Sequence, residues 1–144
     1  MNDTLSQTIS NRTLPKGWTI ALWAAQVVLA IIYLLAGGMK LSQPIPALAA
    51  AGMGFVLALP EAAVRLIGLA EVLGAIGVVA PALTRIRPSL TPLAAAGLVL
   101  LQICAAIFHA TRGEFFMLPA NTVLLALALF VWWGRSRKAP ILPR

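Results

Sequence analysis

The chain has 144 residues, the length of one domain, of which 60% are hydrophobic and only 10% charged, against about 45–50% and about 25% in soluble proteins. A soluble domain of this size buries too little of its surface to hide that much apolar matter, so the excess faces lipid and the chain reads as an integral membrane protein. The formal charge of +7 invites a nucleic-acid reading, but Arg12, Lys16, Arg85, Arg87, Arg135, Arg137, Lys138 and Arg144 all flank apolar spans, as topology signals do, and no basic face remains for nucleic acid.

Residues 1–17 are polar and are expected to form a cytoplasmic tail. The apolar run that follows is too long for a signal peptide and has no small-residue cleavage site, so it is expected to stay in the membrane. A span needs about 20 apolar residues to cross some 30 Å of hydrocarbon, and four are expected within a single domain over residues 18–135. The first covers residues 18–39, with Trp18 and Trp23 as interfacial aromatics and Lys40 closing it. The loop from Leu41 to Pro60 carries no charge, and its Ala-rich stretch after Pro46 reads as a short helix, interfacial or re-entrant. The second span covers residues 61–80, opened by Pro60 and followed by Pro81. The third covers residues 90–110, with Ser89 or Thr91 as its cap. The fourth covers residues 116–134 and ends in Trp132, Trp133, Gly134 and Arg135, before a basic cytoplasmic tail over residues 136–144. The fold class is therefore all-α, a membrane-embedded up-down four-helix bundle. Gly68, Gly74 and Gly77, with the Ala94–Gly97 block, are expected to bring helix backbones close together.

Direction follows from the basic residues. Eight Lys and Arg fall on the side of the termini and three, Lys40, Arg65 and Arg112, on the other, so both termini are expected in the cytoplasm. A bacterial cytoplasmic (inner) membrane is the expected location.

Glu71 is the most informative residue, because it stands alone in an otherwise apolar or glycine run from Ile67 to Ala80. A carboxylate in mid-membrane costs roughly 2.5–3.5 kcal/mol on insertion scales, and such residues mark functional sites by default. Three states are open to it: protonated and hydrogen-bonded between helices, paired with Lys40 or His109, or lining a site that binds or relays protons. In the expected topology Lys40, Glu71, His109 and Asn121 fall in the outer half of the bundle, whereas Gln26 and Gln102 do not. Lys40, Glu71, His109, Asn121 and Arg112 are the candidate pocket residues. Against these stand plainer readings: Lys40 as a boundary cation, His109 as an interfacial side chain, and Glu61–Arg65 and Arg112–Glu114 as solvated surface charges. With one histidine and one cysteine, Cys104, in the chain, no metal site is expected and dithiol chemistry is excluded. No nucleophile elbow, phosphate-cradling loop or catalytic carboxylate pair occurs. The chain therefore reads as something other than a self-contained enzyme.

Four segments together resemble the DoxX-like family of small four-helix membrane proteins: Leu35-Ala-Gly-Gly-Met-Lys-Leu41, Ile67-Gly-Leu-Ala-Glu-Val-Leu-Gly-Ala-Ile-Gly77, Pro88-Ser-Leu-Thr-Pro-Leu-Ala-Ala94 and Phe108-His-Ala-Thr-Arg-Gly-Glu114. Within them the polar positions are Lys40, Glu71, His109 and Arg112. The resemblance implies the fold and an association with redox complexes, since the family takes its name from membrane subunits linked to a thiosulfate:quinone oxidoreductase and relatives are tied to membrane chaperoning. The single cysteine separates this chain from quinone-linked thiol oxidases, which need cysteine pairs. Three functions follow as expectations. The first is a polar outer pocket that binds a hydrophobic small molecule or a partner protein, as in a membrane subunit of a redox complex. The second is a quinone-binding oxidoreductase component, with quinone as the cofactor, Lys40 or His109 holding a quinone oxygen and Glu71 moving protons. The third is a proton-coupled transporter of a small molecule. A homodimer is a further candidate partnership, because four helices enclose little volume.

Overall fold

Small side chains inside and large aliphatic ones outside give this chain its architecture. The computed structural model describes residues 16–144, so most of the polar N-terminal tail lies outside the described residues. Four helices there are long and apolar enough to cross a membrane. Helix α1 is Lys16–Ser42, α2 is the short Ile45–Ala50, α3 is Glu61–Thr84, α4 is Leu90–Thr111 and α5 is Leu118–Trp133. A 3-10 turn, Phe115–Met117, leads into α5, and a π-helical turn, Gly134–Lys138, prolongs it. At 27 residues, α1 is roughly 40 Å long at 1.5 Å per residue, more than the hydrocarbon thickness. No strand occurs among the described residues.

The long helices run up and down, and α1 and α4 each pack on both α3 and α5. This closes a ring whose centre holds Ala25, Leu29, Tyr33, Ala75, Val78, Ala95, Leu98, Ala128 and Val131. The outward surface carries Ile20, Leu35, Leu66, Leu73, Leu93 and Leu100, all largely exposed. Water would make that surface costly; lipid does not. With no hydrophobic drive between helices inside a bilayer, close packing of small residues holds them together. Gly37 and Gly68 are the closest approach: a Cβ on Gly37 would stand 2.7 Å from the Gly68 carbonyl oxygen, and one on Gly68 would stand 2.8 Å from the Lys40 Cβ. Gly77 meets Ala94 and Gly74 meets Leu98 in the α3–α4 contact. Gly97 departs from expectation, with no atom within 4 Å of where its Cβ would be, because it faces outward from α4.

Two helix ends also differ from the sequence reading. Helix α3 continues through Pro81 to Thr84 and stops at Arg85, whose φ of 59° lies in the left-handed region. A proline deletes one backbone hydrogen bond, and the three residues beyond it show that the surrounding packing outweighs that loss. Ser89 precedes α4 without capping it by its side chain, since its backbone is already helical. The first turn is held instead by Leu90 and Thr91 N–H groups donating to the carbonyls of Arg87 and Pro88.

Between α1 and α3 the uncharged loop folds back over one end of the ring. Pro44 sits at the N-cap of α2 with Pro46 in its first turn, and after Gly52, at a φ of 92°, a 3-10 helix spans Gly54–Ala58. Leu48 and Val56 are fully buried against Val64. Arg65 locks the arrangement. Besides its expected partner Glu61, at 2.6 Å, it donates to the backbone carbonyls of Lys40 and Gln43, which closes the C-terminal end of α1.

The candidate ligand cavity and its ion pair

Lys40 and Glu71 are brought together by the glycine crossing. Helix α1 carries Tyr33, Ala36, Gly37 and Lys40 at spacings of three, four and seven, one face of a helix. Gly68 lies against Lys40, and Glu71 follows one turn later on the same face of α3. The Lys40 Nζ donates to both carboxylate oxygens of Glu71, at 2.9 and 2.7 Å. The two residues are 4% and 7% exposed, so neither charge reaches bulk solvent and each is neutralised by the other. This geometry is the paired state among the three open to Glu71, and it holds Lys40 inside the bundle.

The pair forms part of the wall of a cavity of about 380 Å³ at the end of the bundle covered by the α1–α3 loop. All four long helices contribute to it. Tyr33 and Lys40 come from α1, Glu71 from α3, Gln102 and His109 from α4, and Asn121 from α5. The remainder is apolar and includes Ile32, Leu59, Ile67, Leu101, Phe108 and Leu124. Phe55, from the 3-10 turn of the loop, lies between two of the polar residues: the Lys40 ammonium is 5.7 Å from its ring centre, and the His109 ring meets it edge-on at 5.4 Å. Two polar atoms in this wall, the Tyr33 hydroxyl and Asn121 Nδ2, are buried with no partner among the described residues. Buried polar groups are nearly always hydrogen-bonded, so such orphans ask for something to bond.

His109 is placed differently from the sequence expectation. It is buried within the bundle, and its Nδ1 pairs with Glu114 at 2.7 Å, not with Glu71. Glu114 also accepts from Arg112 Nε at 2.9 Å. These hydrogen bonds, His109's first and Arg112's second, hold the Glu114 carboxyl below its ordinary pKa. Arg112 itself is exposed, lies over the Phe108 ring at 5.4 Å and stays out of the cavity wall, joined to it only through Glu114 and Phe108. The Arg112–Glu114 pair is thus part of a small network rather than a free surface contact.

Gln102 and Tyr33 were not selected from the sequence. Gln102 precedes His109 by seven residues and therefore shares its face of α4, and the same spacing links Tyr33 to Lys40 on α1. That periodicity was a readable signal. Phe55 had none, because its position depends on how the loop folds.

The profile of the DoxX-like family matches residues 24–131, three quarters of the chain. The chain belongs to the DoxX-like family. The match runs from within α1 to within α5 and takes in every polar residue of the cavity wall. No curated protein and no solved structure matches the chain. Family membership therefore supports the membrane-embedded helical bundle, and the reading of the DoxX-like cavity rests on its own geometry.

Proposed function

We propose that this small membrane protein binds a membrane-soluble molecule in the cavity beneath the α1–α3 loop, and that the molecule presents hydrogen-bond-accepting oxygens on an apolar body. The observation that carries this reading is that all four long helices bring polar side chains to one mostly apolar cavity, and two of those residues, Tyr33 and Asn121, have a buried polar atom without a partner among the described residues. A volume of about 380 Å³ falls within the roughly 300–1,000 Å³ of small-molecule sites. Lys40 and Glu71 supply a compact dipole in the same wall, which His109 also lines. A quinone is one molecule of the required kind, since its ring is apolar and its two carbonyl oxygens only accept.

Calorimetric titration of the purified protein in micelles with a short-chain alkyl benzoquinone, and with the alkylbenzene of equal chain length, tests this. The quinone is expected to bind about tenfold more tightly. Tyr33→Phe and Asn121→Leu should each weaken it about 3- to 10-fold, the worth of one hydrogen bond. Equal affinity for the two compounds, or unchanged quinone affinity in both variants, overturns the proposal.

The chain is further proposed to sit in a bacterial cytoplasmic membrane with both termini inside and the cavity end outside. Seven of the ten Lys and Arg among the described residues lie at the end of the bundle that carries the termini, the arrangement the positive-inside rule favours. An Arg144→Cys, Cys104→Ala variant should react with a membrane-impermeant maleimide only after the membrane is opened. Reaction in intact cells reverses the orientation.

A further inference from the structure

Charge is divided unequally between the two ends of the bundle. Every acidic side chain among the described residues lies at the cavity end, and each is paired there: Glu61 with Arg65, Glu71 with Lys40, and Glu114 with Arg112 and His109. Among the described residues the opposite end has seven cations and no acidic side chain to meet them. Six of these, Lys16, Arg85, Arg87, Arg137, Lys138 and Arg144, are exposed.

The fold gathers these cations. Beyond α5 the chain turns through Gly134–Lys138 and runs back across the α3–α4 loop, where the Arg144 N–H donates to the Arg85 carbonyl at 3.3 Å and Arg85 Nε to the Leu142 carbonyl at 3.2 Å. The seventh cation, Arg135, is only 5% exposed. Its Nε donates to Gln26 Oε1 at 2.7 Å, Gln26 donates in turn to the Val78 carbonyl, and the guanidinium lies 5.3 Å from the Trp23 ring centre. Among the described residues Arg135 Nη2 is buried with no partner, and no carboxylate there offsets its charge.

The surroundings place these cations at headgroup depth. Trp18 packs on Phe130 and Trp133 at 5.9 and 5.6 Å, and Lys138 lies 5.3 Å from the Trp133 ring centre; tryptophans of this kind mark the membrane interface. Beside the basic residues, Leu83, Ile86, Leu90 and Leu142 are exposed and apolar. A soluble polyanion would leave those side chains in water, whereas a phospholipid would cover them with its acyl chains.

We propose that the end of the bundle carrying the termini is a docking surface for anionic phospholipid, at which the cations of the α3–α4 turn and of the returning C-terminal segment hold phosphodiester headgroups and the flanking leucines and isoleucine receive the acyl chains. The proposal is independent of what fills the cavity at the other end.

The four tryptophans, Trp18, Trp23, Trp132 and Trp133, all belong to this end and serve as the reporter. The full chain is reconstituted in phosphatidylcholine bilayers that contain a small, equal fraction of either phosphatidylglycerol or phosphatidylcholine with brominated acyl chains, which quench nearby indoles. Brominated phosphatidylglycerol is expected to act as though enriched roughly fivefold or more around the protein, the amount one well-placed cation supplies, and the preference should shrink at high salt. A combined Arg85→Gln, Arg137→Gln, Lys138→Gln, Arg144→Gln variant should lose most of the preference, keeping only what Lys16 and Arg87 supply. These side chains are exposed and Arg135 is left in place, so circular dichroism should show unchanged helicity. Equal quenching of the unaltered protein by both lipids overturns the proposal, and so does a preference that is undiminished in the variant. Equal quenching combined with capture of soluble polyglutamate would assign the face to an acidic protein instead, which also overturns it.

Discussion

Glu71→Leu is expected to destabilise the bundle by about 3–5 kcal/mol, the cost of leaving one partner of a buried ion pair alone. Lys40 would remain 4% exposed, with the Phe55 ring as its nearest favourable partner, and a cation–π contact recovers only about 1–2 kcal/mol. Escape by extending toward the headgroups is blocked, because the loop covers that end and Arg65 fixes the last turn of α1. Lys40→Met should cost a similar amount by stranding Glu71. The Lys40→Met, Glu71→Leu double variant should regain most of the loss, since replacing both charges by apolar groups of similar size is often neutral or better. Reversible unfolding in mixed micelles measures all three. A Glu71→Leu protein as stable as the original would mean that Lys40 reaches water or headgroups, and the buried pair would no longer describe the site. The double variant separates structure from binding: it should fold yet lack the wall dipole, so the quinone titration on it reports what the pair contributes to a ligand.

Two adjacent glycines should respond with opposite sign to the same substitution. In Gly37→Ala the new methyl meets the Gly68 carbonyl oxygen at 2.7 Å and the Glu71 Cβ at 2.9 Å. Backbone oxygen cannot swing aside as a long side chain can, so α1 and α3 must separate. The expected cost is about 1–3 kcal/mol, the range for overpacking. In Gly38→Ala the methyl meets nothing within 4 Å, and alanine's better helix propensity should stabilise by roughly 0.5–1 kcal/mol. Because Gly37 also sets how closely Lys40 approaches Glu71, Gly37→Ala should lower quinone affinity as well. The same unfolding assay checks the pair, and a Gly37→Ala protein no less stable than Gly38→Ala would remove the crossing as the organiser of the site.

The partners of the polar residues depended on register and rotation between helices. An even start for each span puts Glu71 roughly 15 Å below the mouth and Lys40 at it. In the structure α3 begins well beyond the level of Lys40, since Gly68, seven residues into that helix, is what faces the Lys40 Cβ. Glu71 is therefore one turn from Lys40 and meets it directly. Gln102 was assigned away from the candidate pocket for the same reason, and it lines the cavity because all four helices pass beside it. Arg135 read as a basic stop after an aromatic anchor. Its burial against Gln26 joins residues 109 positions apart, and no local pattern encodes that contact.

The amino-acid order by itself determined the four membrane helices, their alternation and the oddity of Glu71, because hydropathy, helix length and the cost of a lone carboxylate are properties of single segments in lipid. Tertiary structure alone decided that Lys40 pairs with Glu71, that His109 pairs with Glu114, and that Tyr33 and Asn121 line one cavity. Those outcomes depend on which glycines touch, and inside a bilayer, where greasy surface gains nothing by turning from its surroundings, close steric fit fixes how helices turn toward one another.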